Sequence, residues 1–370
     1  MKFTSDTLNY RSYTFKGRSR PLEISNQSIK LVETADGFNV PADKILVKVH
    51  SAGLNPVDYS IYQSSSFPFS LWEHGIGLDY SGTVVAIGKL GANNAANNAT
   101  PDFKVGDKVN GFYPHPFGKG TLAEYVLLDT STNIDSGVAK IPTNLTMSEA
   151  AAWPTVFGTS FLMTSGLDLK DKRVLVLGAA TSVGRFVVSQ SKDGGAKEIV
   201  TTNSERSSSV VQQLGGTSFI DYTKHKSILE PALESVKNTG KFDYVFDCCG
   251  NNDLLKHTST ILADDYITVV GDYKHSYRDI TFFSSVLPMI RFLFRQFWSS
   301  RGYLGYKYRF VTFLSMAPKA DWIKPATKLI EEERVKVFVD SVYKFQDLDK
   351  AIERVNTNQA KGKVVVQVEE

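Results

Sequence analysis

Cysteine is nearly absent from this chain of 370 residues, because only Cys248 and Cys249 occur and they are adjacent. Neighbouring residues on a strand point to opposite faces, so a disulfide between the two is not expected. Reduced thiols are typical of intracellular proteins, and the sequence predicts that compartment. Two cysteines also exclude a zinc site built from four thiolates.

Long apolar runs and a strong charge of one sign are missing as well. No run of about 18 apolar residues occurs, so no membrane-spanning helix is predicted. The formal net charge of +3 is too small to indicate a nucleic-acid partner. The composition is 42% hydrophobic and 22% charged, as in ordinary globular proteins, and the length suggests roughly two domains.

The pattern of apolar segments changes near residue 173. Before it, short alternating stretches such as residues 45–50 and 108–112, separated by turn residues, predict an all-β region. After it, apolar strands alternate with helical stretches; the strands lie at residues 174–177, 198–202, 218–221, 244–247 and 267–270. This alternation predicts an α/β fold with a doubly wound parallel sheet, preceded by a β domain.

The most informative segment is RVLVLGAATSVG, at residues 173–184. A buried strand enters a tight turn at Gly178, and Gly184 opens a predicted helix. The free N–H groups at the start of such a helix point at negative charge and bind a pyrophosphate. The sequence therefore predicts a dinucleotide site formed by Gly178, Thr181, Ser182, Val183 and Gly184.

Six motifs carry a family resemblance. They are SAGLNPVDY (51–59), GLDYSGTVVAIG (77–88), FKVGDKVNGF (103–112), GTLAEYV (120–126), FDYVFDCCG (242–250) and GKVVV (362–366). The chain resembles the medium-chain dehydrogenase/reductases, in particular the zinc-free quinone oxidoreductase branch and its fungal members associated with lipid droplets or mitochondria. The resemblance implies a GroES-like β domain (residues 1–158 and 320–370) and a Rossmann domain (residues 159–319).

Zinc-binding members of this family place a cysteine early in the first motif and a His-Glu pair before the glycines of the second. Here residues 51–54 contain no cysteine, and Leu78 and Asp79 stand in place of the pair. Zinc needs three or four soft or nitrogen ligands. His50 and His74 do not supply them, so no metal is expected.

The glycine loop departs from the family, because Thr181 and Ser182 replace its usual central glycines. A β-carbon there crowds a pyrophosphate, although hydroxyls also donate to phosphate oxygens, so an empty structural loop remains the alternative. The resemblance implies further cofactor contacts, namely Thr159 on the phosphate side, Tyr222 at the adenine ribose, Cys248 beside the nicotinamide, and Gly271.

The residues that follow the second strand of the predicted parallel sheet, at 198–202, indicate whether NADH or NADPH binds. An NAD site ends this strand with an acid that holds the ribose 2′-hydroxyl. Here Asn203 and Ser204 follow the strand, and the guanidinium of Arg206 suits a 2′-phosphate. Glu205 is the alternative ribose partner, but the pattern favours NADPH.

Reduction of a quinone or an enone needs a hydrogen-bond donor near the acceptor oxygen and no strong nucleophile. Asn55 and Tyr59, in the motif that the resemblance places on the substrate side, are the candidates. In the structural alternative, the Asn-Pro-Val-Asp sequence forms a turn in which Asn55 bonds to backbone and Tyr59 packs.

A second signal does not belong to the enzyme pattern. Residues 280–320 contain no acidic residue, and residues 282–298 (FFSSVLPMIRFLFRQFW) are mostly apolar and aromatic, with Arg291 and Arg295 four apart. A helix beginning near Pro288 is expected. Such a helix binds a lipid surface, or it forms a subunit interface in a homodimer or a lid over the substrate.

These patterns predict an NADPH-dependent, zinc-independent reductase of quinones or activated carbonyls and alkenes. Its partner is a small-molecule hydride acceptor, and it associates peripherally with lipid. The rival interpretation is a weakly active or inactive relative that serves as a docking module for lipid or a partner.

Overall fold

The computed structural model describes residues 3–17, 21–64, 71–89, 103–115, 118–129, 137–271, 282–316 and 322–369. Within these ranges, the side chains of residues 64, 252, 282–286, 288, 289, 313 and 314 are not described. The chain divides into two compact units, Met1–Thr155 with Leu314–Glu370, and Val156–Phe313. Across the described ranges, we find no helix that is long and apolar enough to cross a membrane.

Strands dominate the first unit, and strands and helices alternate in the second. The strands are β1 (Thr7–Phe15), β2 (Glu23–Lys30), β3 (Val32–Thr34), β4 (Gly37–Asn39), β5 (Lys44–Leu54), β6 (His74–Gly75), β7 (Asp79–Ile87), β8 (Lys108–Phe112), β9 (Tyr125–Asp129), β10 (Val138–Lys140), β11 (Arg173–Leu177), β12 (Glu198–Asn203), β13 (Ser218–Asp221), β14 (Phe242–Asp247), β15 (Leu262–Thr268), β16 (Lys307–Phe310), β17 (Val339–Lys344) and β18 (Lys363–Gln367). The α-helices are α1 (Pro56–Ser64), α2 (Met147–Ala150), α3 (Pro154–Thr164), α4 (Ser182–Asp193), α5 (Glu205–Leu214), α6 (Leu229–Thr239), α7 (Thr258–Ile261), α8 (Phe282–Ser300), α9 (Ile323–Glu331) and α10 (Leu348–Asn356).

The first unit contains a larger sheet in the order β10-β8-β7-β5-β18-β17, with β9 also paired to β5, and a smaller sheet in the order β2-β1-β6. The strand β18 comes from the far end of the chain and runs antiparallel to β5 and parallel to β17. The prediction of a β domain is confirmed for this unit, although it also contains the helices α1, α2, α9 and α10, so it is not all-β. Its main sheet is completed by β18.

The second unit is a six-stranded sheet in the order β13-β12-β11-β14-β15-β16, in which every pairing is parallel. Counted within this unit, the order is 3-2-1-4-5-6, which defines a Rossmann fold. Alternate residues of β11 enter two separate cores, with Leu175 in one and Val176 in the other. Both faces of the sheet are therefore covered, as the continuous apolar strand sequences predict.

Two predicted helix starts are wrong. The helix α4 begins at Ser182, before Gly184, because Thr181 has extended backbone and its side chain caps the helix. The helix α8 begins at Phe282, which places Pro288 in its interior. Proline is favoured in a first turn, but inside a helix it removes one backbone hydrogen bond and does not fix where the helix begins.

Candidate functional site

The carboxyl end of the parallel sheet gathers most of the predicted cofactor residues. Gly178 follows β11, Ser204 follows β12, Tyr222 follows β13, Cys248 follows β14 and Gly271 follows β15. Because β12 and β14 flank β11 on opposite sides, the chain order reverses at this edge, which is where open α/β sheets bind their ligands. Thr159 lies elsewhere in sequence, on α3, and is buried.

The turn after β11 depends on two glycines. Gly178 has a φ of +72°, and a β-carbon there would lie 2.7 Å from Cys249 Cβ. A β-carbon on Gly184 would lie 2.3 Å from the carbonyl oxygen of Gly178. The helix α4 therefore approaches the end of β11 more closely than any residue with a side chain permits, as the third glycine of a dinucleotide loop requires.

Thr181 and Ser182 do not break this turn. The hydroxyl of Thr181 accepts a hydrogen bond from the Gly184 amide at 3.0 Å, so it caps α4. The amides of Ser182 and Val183, in the same first turn, have no acceptor within the helix. No acidic side chain lies in this turn. The loop thus keeps two helix-terminal donors for an anion and uses a third one for capping.

The turn is also tied to β12. The hydroxyl of Thr202 accepts a hydrogen bond from the Gly178 amide at 2.9 Å, and the carbonyl oxygen of Thr202 accepts one from the Ala179 amide at 3.1 Å. Asn203 is buried, and its side chain accepts from the Thr201 hydroxyl at 2.8 Å. The two bonds to Thr202 hold the carboxyl ends of β11 and β12 together, and the Thr201 bond fixes the Asn203 side chain within β12.

The start of α5 offers a hydroxyl and a cation. Ser204 is the N-cap residue, yet its side chain makes no capping hydrogen bond. Arg206 is exposed. Glu205 is exposed and lies 3.4 Å from the Lys224 ammonium, which is also 3.6 Å from Asp221 Oδ2. Lys224 therefore partly neutralises the charge of both Glu205 and Asp221 at this edge of the sheet.

Tyr222 is 54% exposed. It directly follows Asp221, which lies in the last position of β13 and accepts from the Thr223 hydroxyl at 2.7 Å. That hydrogen bond holds the pKa of Asp221 below its usual range. The exposed ring presents a flat face at this edge, as a contact to an adenine ribose requires.

The turn after β14 is organised by Asp247. Its buried carboxylate accepts from the amides of Cys249 (3.1 Å) and Gly250 (2.8 Å) and from the Tyr266 hydroxyl (2.9 Å). Burial raises the pKa of Asp247, although these hydrogen bonds oppose the rise. Burial also raises the pKa of Cys248, so this thiol is kept neutral and suits a packing role.

A buried polar network occupies the predicted substrate motif in the first unit. Asn55 is 3% exposed; its amide donates to Asp79 Oδ2 at 2.9 Å and its oxygen accepts from Lys363. Lys363 Nζ also lies 2.8 Å from Asp79 Oδ2, and Asp79 Oδ1 accepts from the backbone and the hydroxyl of Thr155. Both polar ends of the Asn55 side chain are thus engaged, which favours a structural role for this residue. Its partners are the side chains of Asp79 and Lys363, and not the backbone that the structural alternative expected.

Tyr59 is half-buried on α1. Its hydroxyl accepts from Gln63 Nε2 at 2.8 Å, and its ring centroid lies 5.8 Å from that of Tyr62. A hydroxyl that accepts one hydrogen bond still has its own proton to donate. Tyr59 therefore fits a donor role better than Asn55.

Metal coordination does not fit the described residues. No group of three or more His, Cys, Asp or Glu side chains with a ligating arrangement occurs among them. The Asp79 carboxylate is already shared by Lys363, Asn55 and Thr155, and both cysteines of the chain lie in the second unit. The donor set for zinc is therefore not assembled among the residues that the structure describes.

Two features of the site were missed at the sequence level. The Lys363–Asp79 pair joins residues that are 284 positions apart, and no sequence pattern links them. The side-chain oxygen Oδ2 of Asp58 accepts a hydrogen bond from the backbone amide of Asn55 at 2.7 Å and so caps the first turn of α1. Asn55 and Asp58 have the three-residue spacing of a helix-capping pair, so the sequence could have predicted this second contact.

Comparison with known proteins agrees with this architecture. Residues 41–142 match the family model described as "Alcohol dehydrogenase GroES-like domain", and residues 214–366 match "Zinc-binding dehydrogenase". The chain belongs to the medium-chain dehydrogenase/reductase family of oxidoreductases, whose members generally bind a nicotinamide cofactor.

Named relatives extend over nearly the whole chain. "Protein YIM1" of Vanderwaltozyma polyspora is 32% identical, with 97% of this chain and 99% of the relative covered. "Protein YIM1" of Saccharomyces cerevisiae is 30% identical, with 99% and 100% covered. Among solved structures, the quinone oxidoreductase from Coxiella burnetii has a TM-score of 0.70 at 19% identity, covering 98% of this chain and 100% of that one. This last likeness shows a shared fold.

Proposed function

We propose that this protein is an NADPH-dependent, zinc-independent reductase of quinones or other activated carbonyls and alkenes. The observation that carries the proposal is the glycine turn at the reversal point of the parallel sheet, with Gly184 packed against Gly178. Among the described residues, the amides of Ser182 and Val183 have no acceptor. The nicotinamide, when bound, supplies the hydride. The protein supplies binding, orientation and a hydrogen bond to the acceptor oxygen.

The pyrophosphate would lie on the amides of Ser182 and Val183, where the positive end of the α4 dipole favours negative charge. Capping by Thr181 supports this role, because the threonine side chain folds back onto Gly184. The sequence suggested that the Thr181 side chain crowds a pyrophosphate in the loop. Its position as the cap of α4 argues against that interpretation. A loop that keeps its glycine packing, with two donors left without an acceptor in the described part of the chain, favours the enzyme over an empty scaffold.

The side chains at the end of β12 and the start of α5 favour binding of NADPH over NADH. The side chain that ends β12 is a buried amide, Asn203, and no acid takes the position of a 2′-hydroxyl ligand. The Ser204 hydroxyl, which makes no capping bond, and the exposed Arg206 suit a 2′-phosphate. Glu205 is the competing ribose ligand, but Lys224 partly neutralises it.

We expect purified protein to quench or blue-shift NADPH fluorescence with saturation, and to bind NADPH more tightly than NADH. Replacing Arg206 with alanine should weaken NADPH binding by about tenfold, roughly 1.4 kcal/mol, because one charge-assisted contact to the phosphate is lost. NADH binding should stay unchanged. Fluorescence titration with both nucleotides measures the two affinities.

Arg334→Ala is the matched control, since Arg334 is an exposed arginine in the first unit. It should leave both affinities unchanged. If neither nucleotide gives a saturable signal, the enzyme proposal is lost. If Arg206→Ala weakens both nucleotides equally, the assignment of Arg206 to the 2′-phosphate is wrong.

We also propose that α8 attaches the protein to a lipid surface that contains anionic headgroups. This helix packs on β16 through Phe292, whose ring centroid lies 4.8 Å from that of Phe310, and through Ser299, which accepts from the Tyr308 amide at 2.6 Å. Arg295 donates to Tyr306 on the same side. One face of α8 is therefore fixed to the sheet.

The rest of α8 leaves large apolar side chains in solvent. Phe294 is 60% exposed and Trp298 is 44% exposed; Leu287, Ile290, Leu293 and Phe297 are also exposed. Arg291 is exposed within this patch and Arg301 is exposed just beyond its C-terminal end, and residues 280–320 contain no acid. Exposed aromatics combined with cations and no anions match an anionic lipid interface.

Replacing both Phe294 and Trp298 with aspartate should abolish flotation of the protein with vesicles of phosphatidylcholine and phosphatidylserine. The partition coefficient should fall about a hundredfold, because two large aromatic side chains no longer leave water. Phe292 is unsuitable for this test, since it packs against the sheet. Density-gradient flotation, with thermal unfolding as a check of folding, measures the effect.

The pair Val32→Asp with Val342→Asp is the matched control, because both valines are exposed in the first unit at 43% and 47%. This control should float as the parent does. If the α8 variant still floats but changes from dimer to monomer, the patch is a subunit interface and the lipid proposal is wrong. Equal flotation on phosphatidylcholine alone would contradict the role of the arginines.

A further inference from the structure

The turn that follows β14 is built around one buried carboxylate. Asp247 is 0% exposed, and it accepts hydrogen bonds from the backbone amides of three successive residues. These amides belong to Cys249 (3.1 Å), Gly250 (2.8 Å) and Asn251 (3.2 Å). The hydroxyl of Tyr266, which is also 0% exposed, donates to Oδ2 at 2.9 Å. Four donors therefore meet at one carboxylate, to which the proposed function above assigns no role.

These hydrogen bonds determine the direction of the carbonyl groups in the turn. In a planar trans peptide, an N–H group points opposite to the C=O group of the preceding residue. Because the amides of residues 249–251 point at Asp247, the carbonyls of Cys248, Cys249 and Gly250 point away from it. Carbonyl oxygens accept hydrogen bonds, so this side of the turn suits donor groups rather than anions. The turn after β11, by contrast, offers amides.

The position of this turn in the sheet indicates which part of a nucleotide it meets. In the strand order 3-2-1-4-5-6, each half of the sheet holds one mononucleotide, and the adenosine lies on the side of the second strand. The strand β14 is the fourth strand, so its carboxyl end belongs to the other half. A β-carbon on Gly178 would lie 2.7 Å from Cys249 Cβ, so the turns after β11 and β14 are in contact.

We propose that Asp247 and Tyr266 are positioning residues for the nicotinamide half of the nucleotide. They orient the carbonyls of the turn toward donors of that half, its ribose hydroxyls or its carboxamide NH2. The proposal rests on the proposed function for the identity of the ligand. Both side chains are fully buried and bonded to the turn, so they act through the backbone and do not touch the ligand. The adenosine half should bind without them.

The test is calorimetric titration with NADPH and with adenosine 2′,5′-bisphosphate, which lacks the nicotinamide and its ribose. The parent should bind NADPH more tightly than the bisphosphate. Asp247→Ala should weaken NADPH binding by about tenfold or more and change bisphosphate binding by less than about twofold. Asp247→Asn should recover most of the NADPH affinity, because its amide oxygen still accepts from Cys249 and Gly250. Its NH2 group can donate to Tyr266, whose proton can turn to the Asn251 carbonyl at 3.4 Å.

Tyr266→Phe removes the hydroxyl alone, because the ring still stacks on Tyr308 with 5.9 Å between centroids. It should weaken NADPH binding by about threefold and leave the bisphosphate unaffected. Asp243→Ala is the matched control. Asp243 lies at the opposite end of β14 and also accepts from a backbone amide, that of Arg173 at 2.8 Å. This control should keep both affinities, and thermal unfolding checks the folding of every variant.

Equal losses for both ligands in Asp247→Ala would make Asp247 a general support of the fold and would overturn the proposal. An Asp247→Asn variant as weak as Asp247→Ala would also overturn it, and so would parent-like NADPH affinity in both Asp247→Ala and Tyr266→Phe. If the parent binds neither ligand, the proposed function fails together with this inference. If the parent binds NADPH and the variants show no difference between the two ligands, only the positioning role is lost.

Discussion

Replacing Lys363 with methionine is expected to lower the free energy of unfolding of the first unit by about 3–5 kcal/mol. Lys363 and Asp79 are 3% and 0% exposed in their side chains, with 2.8 Å between Nζ and Oδ2. Removing the ammonium group leaves a carboxylate charged and buried. Urea unfolding followed by fluorescence reports this unit, because Trp153 and Trp322 are fully buried within it.

Lys361→Met is the control, because Lys361 is exposed two residues earlier and its loss should cost less than about 0.5 kcal/mol. The double variant Lys363→Met with Asp79→Asn should recover part of the lost stability, since the unpaired charge is gone and the introduced amide oxygen still accepts from Thr155. A double variant less stable than Lys363→Met alone would mean that Asp79 stabilises the unit mainly through other partners.

Gly184→Ala is expected to weaken NADPH binding by about a hundredfold, roughly 2.7 kcal/mol. The new β-carbon would lie 2.3 Å from the Gly178 carbonyl oxygen, so α4 must move away from β11. That movement displaces the amides of Ser182 and Val183 on which the pyrophosphate is proposed to lie. Overpacking of this kind also costs about 1–3 kcal/mol of stability. Fluorescence titration and thermal unfolding measure the two effects.

Gly166→Ala is the control that distinguishes the cost of a strained backbone from the loss of the pyrophosphate-binding turn after β11. Gly166 lies in the same unit with a φ of +74°, and a β-carbon there would meet no described atom within 4 Å beyond its chain neighbours. This variant should lose about 1 kcal/mol of stability and keep its NADPH affinity. Native affinity in a well-folded Gly184→Ala variant would show that the nucleotide does not depend on this turn.

Much of the second unit follows from local sequence. The strand at Val174–Leu177 is continuous and apolar, and such strands are buried on both faces in parallel sheets. Parallel strands end at one edge, so a residue that follows each strand must lie near the others. For this reason Gly178, Ser204, Cys248 and Gly271 were predictable as neighbours without knowledge of side-chain contacts.

The first unit was less predictable because its polar residues meet over long sequence distances. Lys363 precedes three consecutive valines, and nothing in that pattern indicates that its ammonium reaches Asp79 and Asn55. The sequence likewise shows the apolar content of α8 but not which face packs. Arg295 and Phe292 face the sheet, whereas Phe294 faces solvent, and only tertiary packing decides between them.

The position of β18 has a consequence for how the protein is made on the ribosome. This strand, which pairs with β5, is translated after the whole second unit. Residues 51–54 of β5 therefore lack the partner on one of their two edges while that unit is synthesised, although residues 51–53 can already pair with β7 on the other. Unpaired strand edges promote aggregation. This edge of the nascent chain is thus exposed until β18 emerges from the exit tunnel.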